Sequence, residues 1–156
     1  MRDLLVVLGI LGLDQSTKAW VLWAYTPWGW PVEVTPFFDL VLVWNTGVSF
    51  GLFQGNDAEA QRWALAGLAL LVSVGLAWWL RTGEHGRLQR WGIVLVIAGA
   101  VGNAIDRVVH GAVVDFLDFH VAGWHWPAFN VADSSIVVGA ALLILDGLWA
   151  EKPTST

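Results

Sequence analysis

Two carboxylates 18 residues apart, Asp115 in Val113-Val114-Asp115-Phe116 and Asp133 in Phe129-Asn130-Val131-Ala132-Asp133-Ser134, lie where one apolar stretch ends and the next begins. Acidic side chains at the ends of membrane spans are costly and usually functional. The connecting segment lets the two meet above the outer leaflet, and neighbouring carboxylates cannot both ionise comfortably, so such a pair shares a proton. The ionised member then takes a proton from water while the protonated member donates to a scissile carbonyl oxygen, which is aspartic-peptidase chemistry. The chain has no cysteine, so a thiol nucleophile, a disulfide and a thiolate metal site are all excluded. Taken alone the pair is a weak signal, because Asp118 lies close by and Asp133-Ser134 also reads as an ordinary polar helix start.

Further polar groups lie within the apolar stretches. Asp14 and Lys18 are four residues apart, hence on one helix face, where they neutralise each other, fix helix packing or serve a site. In Gly99-Ala100-Val101-Gly102-Asn103-Ala104-Ile105-Asp106-Arg107, the polar residues occupy consecutive turns and the small ones permit close approach of another helix. This pattern predicts a supporting polar cluster; an interfacial Asp106/Arg107 ion pair alone leaves Asn103 unexplained. His110, His120 and His125 share a segment, but their spacing fits no helix-borne ligand pair, so no metal is expected. Asp118 and Asp146 are read as solvated or interfacial, Asp146 being about 20 Å along a helix from Asp133.

The elements that must position these groups follow from composition. The 156 residues are 56% hydrophobic and 13% charged, with 12 Trp and a mean hydropathy of +0.61, which places the chain in a membrane. Apolar stretches at about 4–25, 63–80, 88–109 and 132–150 approach the roughly 20 residues a spanning helix needs. Trp20, Trp23, Trp28, Trp30, Trp63, Trp78, Trp79, Trp91 and Trp149 fall toward span ends, at headgroup depth. Arg81, Arg87 and Arg90 crowd the second connection, while 26–61 and 110–131 hold no Lys or Arg, so both termini are expected in the cytoplasm; Arg2 and Lys152 agree. The first stretch carries Asp14 and Lys18 and lacks a small-residue cleavage site, so it reads as a retained span rather than a secretory signal.

Between the first two spans, Pro27, Pro31 and Pro36 punctuate a segment whose run Phe38–Trp44 favours a strand, which predicts a small sheet at the membrane surface. The expected fold is an all-α membrane protein: four transmembrane helices and a β-rich extracytoplasmic segment between helices 1 and 2, in one domain over 1–156. The formal net charge of −5 gives no support to nucleic-acid binding.

Asp14-Gln15-Ser16-Thr17-Lys18, Asn45-Thr46-Gly47-Val48-Ser49-Phe50, Gly102-Asn103-Ala104-Ile105-Asp106-Arg107, Val113-Val114-Asp115-Phe116 and Phe129-Asn130-Val131-Ala132-Asp133 occur in this order, and together they resemble lipoprotein signal peptidase (signal peptidase II, aspartyl peptidase family A8). The resemblance runs from about Asp14 to Ser134. It implies an intramembrane aspartyl endopeptidase of the bacterial inner membrane that cuts prolipoproteins just before a diacylglyceryl-modified cysteine. It implies further that Asp115 and Asp133 form the catalytic dyad, with Asn103, Asp106, Arg107 and Asn130 around it and Asp14, Lys18, Asn45 and Gly47 at the remaining motif positions. The expected partners are the lipidated precursor and membrane lipid, with no cofactor, and the chain is expected to act as a monomer. The segment Trp30–Phe53 is expected to cover the substrate. On the residues alone, a proton-coupled transporter using Asp14 and a noncatalytic lipopeptide-binding factor remain the competing readings.

Overall fold

A bilayer offers no water to unpaired backbone groups, so long apolar runs without internal proline close their hydrogen bonds as helices. The computed structural model describes residues 2–26, 29–47 and 58–150. Four helices are long and apolar enough to span a membrane: α1 (Arg2–Ala24), α2 (Ala58–Thr82), α3 (Arg87–His110) and α4 (Val131–Ala150). α2 begins five residues before the apolar run suggests, because Ala58, Glu59, Ala60, Gln61 and Arg62 add a polar first turn.

The bundle is apolar outside and polar within. Leu5, Trp23, Leu71, Val74, Trp78, Val137 and Trp149 project outward, whereas Asp14, Lys18, Asn103 and Asp106 are buried. A large exposed apolar surface of this kind suits lipid rather than water. α3 is the central helix, packed chiefly against α4, then α2, then α1. Glycines make the closest approach possible: a Cβ on Gly92 would meet the Gly139 carbonyl oxygen at 2.9 Å, and one on Gly139 the Gly92 carbonyl oxygen at 2.7 Å. Such small-residue contacts bring membrane helices together where the hydrophobic effect gives no help.

A four-stranded antiparallel sheet caps one end, in the order β1 (Val32–Thr35), β2 (Phe38–Asn45), β3 (Val113–Val121) and β4 (Trp124–His125). The first two strands are those expected between α1 and α2. The sheet then continues through β3 and β4 into the segment between α3 and α4, for which the sequence predicts no strand. Here Gly111 ends α3 in the left-handed region (φ 84°), and its N–H donates to the Arg107 carbonyl at 3.2 Å. That glycine termination turns the chain directly into β3. Val48, Ser49 and Phe50 of the second motif, the part of the covering segment at 48–53, Trp28 and the tail from Glu151 with Lys152 lie outside the described residues.

Candidate active site

Asp133 owes its placement to the start of α4. Asn130 caps that helix: its Oδ1 accepts the Asp133 N–H at 2.8 Å, while Asp133 Oδ2 accepts the Asn130 N–H at 3.2 Å. This reciprocal arrangement is a capping box, with the acid at the third helical position. Asp14 reaches across from α1, and its Oδ1 accepts the Ala132 N–H at 2.9 Å. Two initial amides of α4 are therefore satisfied by side chains, one of them from a different helix. The first turn of α4 consequently lies level with Asp14, ten residues or about 15 Å along α1 from Ala24. Asp133 thus sits down within the bundle rather than above its end.

Asp115 arrives from β3, where it pairs in register with Val43, while Asn45 at the end of β2 pairs with Val113. The residue Asp115 is 1% exposed. Asn45 Nδ2 donates to Oδ2 at 2.9 Å and Asn130 Nδ2 donates to Oδ1 at 2.7 Å. Burial pushes the Asp115 pKa up to about 6, opposed by the Asn45 hydrogen bond, reinforced by the charge of Asp133, and opposed by Asn130 and Lys18. Asn130 is thus bonded to both acids, to Asp115 through its side chain and to Asp133 through side chain and backbone.

Beneath the two acids lies a connected polar cluster. Asn103 Nδ2 donates to Asp133 Oδ1 at 2.7 Å, and Asn103 Oδ1 accepts from Lys18 Nζ and from Asn130 Nδ2, both at 3.2 Å. Lys18 Nζ also pairs with Asp14 Oδ2 at 2.9 Å and Asp106 Oδ2 at 2.8 Å, so each of its three protons faces an oxygen. Asp106 Oδ2 accepts the Val114 N–H at 3.1 Å as well, which fixes β3 one residue before Asp115. Gly102 lets this cluster close, since a Cβ there would stand 2.7 Å from Asp14 Oδ2. Asp14 is engaged on both oxygens, which leaves little of the free proton carrier that a transport reading requires.

Arg107 Nη1 donates to the Asn103 carbonyl at 3.2 Å. Gly47 lies above it with φ +86°, its N–H held by Asn45 Oδ1 at 2.8 Å. A Cβ on Gly47 would strike Leu65 and come within 3.8 Å of Arg107 Nη2, so both conformation and space favour glycine. All ten residues singled out from the sequence therefore gather in one region, around the start of α4.

Two participants escaped the sequence reading. Gln15 Nε2 donates to Asp106 Oδ1 at 3.0 Å and Asp14 Oδ2 at 3.1 Å; its position three residues before Lys18 on a helix was the available signal. Arg62 of α2 donates through Nε to the Arg107 carbonyl at 2.5 Å and through Nη2 to that of Val108 at 2.6 Å, satisfying the C-terminal carbonyls of α3. One correction concerns Asp118, expected as solvated or interfacial: it is buried, because within the sheet β3 sets it opposite Asp39 and its Oδ2 pairs with His125 Nδ1 at 2.7 Å. Of the three histidines, His120 pairs with Asp39 and stacks on His125, while His110 lies apart against Trp44.

Comparison with known proteins gives the family and the fold. The family model described as signal peptidase (SPase) II matches residues 6–149. Among relatives, the lipoprotein signal peptidase of Methylobacterium sp. (strain 4-46) is 49% identical over 143 residues, covering 90% of this chain and 85% of that protein. That of Burkholderia thailandensis is 46% identical over 139 residues, covering 89% and 82%. A bacterial membrane enzyme solved by the in meso method at 2.3 Å resolution superposes with a TM-score of 0.81 at 28% identity, covering 99% of this chain and 93% of that one.

Proposed function

The chain belongs to the signal peptidase II family, and we propose that it acts as an aspartic endopeptidase, removing signal peptides from prolipoproteins by cutting on the N-terminal side of a diacylglyceryl-modified cysteine. The observation that carries the catalytic assignment is Asn130, bonded at once to Asp115 and Asp133. In this reading, the buried Asp115 holds the shared proton and Asp133, in the first turn of α4 where the helix dipole favours negative charge, receives one from water. Water attacks the scissile carbonyl as Asp115 protonates its oxygen and Asp133 takes the water proton. Collapse of the diol returns a proton from one hydroxyl to Asp115, while Asp133 protonates the departing nitrogen. No covalent intermediate forms, and every proton is accounted for by the two acids.

The remaining residues hold this pair in place. Asn45 and Asn130 orient Asp115, Asn103 orients Asp133, and Asp14, Lys18 and Asp106 lock α1, α3, β3 and α4 together beneath them. Gly47, just beyond β2, leaves room beside Arg107 near the end of α3. Seating within the bundle suits a lipidated substrate that enters sideways, its acyl chains staying in lipid while its backbone reaches the acids. The assignment places the enzyme in the bacterial inner membrane, as one monomeric unit with both termini cytoplasmic and the acids toward the extracytoplasmic side.

The test is cleavage of a synthetic diacylglyceryl-prolipoprotein peptide in detergent by the wild-type protein and by Asp115→Asn and Asp133→Asn, with an unlipidated peptide as control. Lipid-dependent cleavage by wild type, lost in both folded variants, is expected. Normal turnover by either variant would remove that residue from the catalytic step.

A further inference from the structure

At the opposite end of the bundle, a cleft of about 450 Å³ opens between the starts of α1 and α3. Its rim carries Arg2, His85, Arg87 and Arg90, and its one acid is Asp3. Arg90 is already committed to Asp3, through Nε at 3.0 Å and Nη2 at 2.5 Å. Arg2 and Arg87 have no carboxylate partner among the described residues. The lining thus sets three guanidinium groups against one carboxylate, while Asp146 stands beside Gly86 at the edge of this region.

The walls differ in kind from the rim. Val6, Trp91 and the buried Val94 line the cleft, and the adjoining turn of α1 exposes Leu4, Leu5 and Leu8. A cationic rim above an apolar wall, at the end of membrane-spanning helices, matches a lipid whose head is anionic and whose chains lie along the protein. Guanidinium groups suit the phosphate because their planar donors bond its oxygens in pairs. We propose that this cleft binds the phosphate headgroup of an anionic phospholipid in the adjacent leaflet, its acyl chains lying along α1. Basic residues at span ends also direct topology, but that role depends on their number and not on convergence at a cavity. Arg81, at the same end of the bundle and outside the lining, separates the two roles.

The experiment is native mass spectrometry of the full chain released from nanodiscs of phosphatidylcholine containing phosphatidylglycerol, for wild type, Arg87→Gln, Arg2→Gln/Arg87→Gln and Arg81→Gln, with inorganic phosphate as competitor. Wild type is expected to retain phosphatidylglycerol in preference to phosphatidylcholine, and the double variant to bind it about thirtyfold more weakly, on the scale expected for removal of two basic groups at a lipid surface. The single Arg87→Gln variant should fall between, Arg81→Gln should match wild type, and millimolar phosphate should not displace the lipid. Equal loss in Arg81→Gln, equal retention of the two lipids, or displacement by phosphate alone would overturn the proposal. Peptidase activity is not read, so the result is independent of the catalytic assignment.

Discussion

Two clusters of inward-facing carboxylates stand out among the described residues, and they are built to different standards. In the helical cluster, Asp14 and Asp106 have donors on both oxygens, and Lys18 has an acceptor for each proton. In the sheet cluster, Asp39 and Asp118 face each other across β2 and β3, each with a histidine on Oδ2. Their Oδ1 atoms are buried without a protein hydrogen-bond partner among the described residues. Between spanning helices no water replaces a missing partner, and the set around Lys18 is fully paired, although Arg107 Nε near the end of α3 is buried without a partner among the described residues. At the capping sheet, near the bundle's aqueous end, water can satisfy what the protein does not. The difference teaches that completeness of hydrogen bonding, more than burial itself, marks which cluster the fold depends on.

The contrast is broken most severely by Lys18→Met, which leaves Asp14 and Asp106 without their shared cation. A destabilisation of about 3–5 kcal/mol is expected, as for other buried pairs that lose one partner, and is read from thermal unfolding in detergent. Asp115→Asn acts in a pH-dependent way. Because the folded pKa is raised to about 6, the stability associated with the neutral carboxyl is complete below the usual aspartate range and is lost as pH rises through 6. Between pH 4 and pH 8 the variant should therefore gain about 3 kcal/mol relative to wild type, on top of a pH-independent offset from its altered contacts with Asn45 and Asn130. A relative gain on acidification instead would contradict the burial argument.

Gln15→Leu removes the donor to Asp106 Oδ1 and is expected to cost about 1–3 kcal/mol, with lowered activity at a fixed temperature near the unfolding midpoint. Asp118→Asn should change stability by less than about 1 kcal/mol and keep most cleavage, because its partner His125 is half exposed. Should Asp118→Asn prove as damaging as Lys18→Met, the distinction between the clusters would fail.

Much of this arrangement was legible in the chain. Spanning helices follow from apolar runs of bilayer length, and the strand at Phe38–Asn45 from β-branched and aromatic residues bounded by Pro36 and Gly47. The ordered motifs named the residues around the start of α4, because each needs a particular functional group that no neighbouring residue type supplies. Less visible was β3: after Gly111 its residues show no clean alternation, since Ala112 through Phe116 are buried alike between the helices and the sheet. Asp118 looked like a surface acid for the same reason.

Composition and local pattern by themselves determined that the chain enters a membrane, where its helices run, and which polar residues a lipid environment would not tolerate without purpose. Only the tertiary structure decided that Asp14 caps a helix more than a hundred residues later, that Asn130 joins the two acids, and that Asp133 sits within the bundle. Helix periodicity and hydropathy are local, so they can be read from neighbouring residues. Hydrogen-bond partners are chosen by where distant segments meet, and in a medium without water that choice favours the packing that leaves the fewest buried donors and acceptors alone.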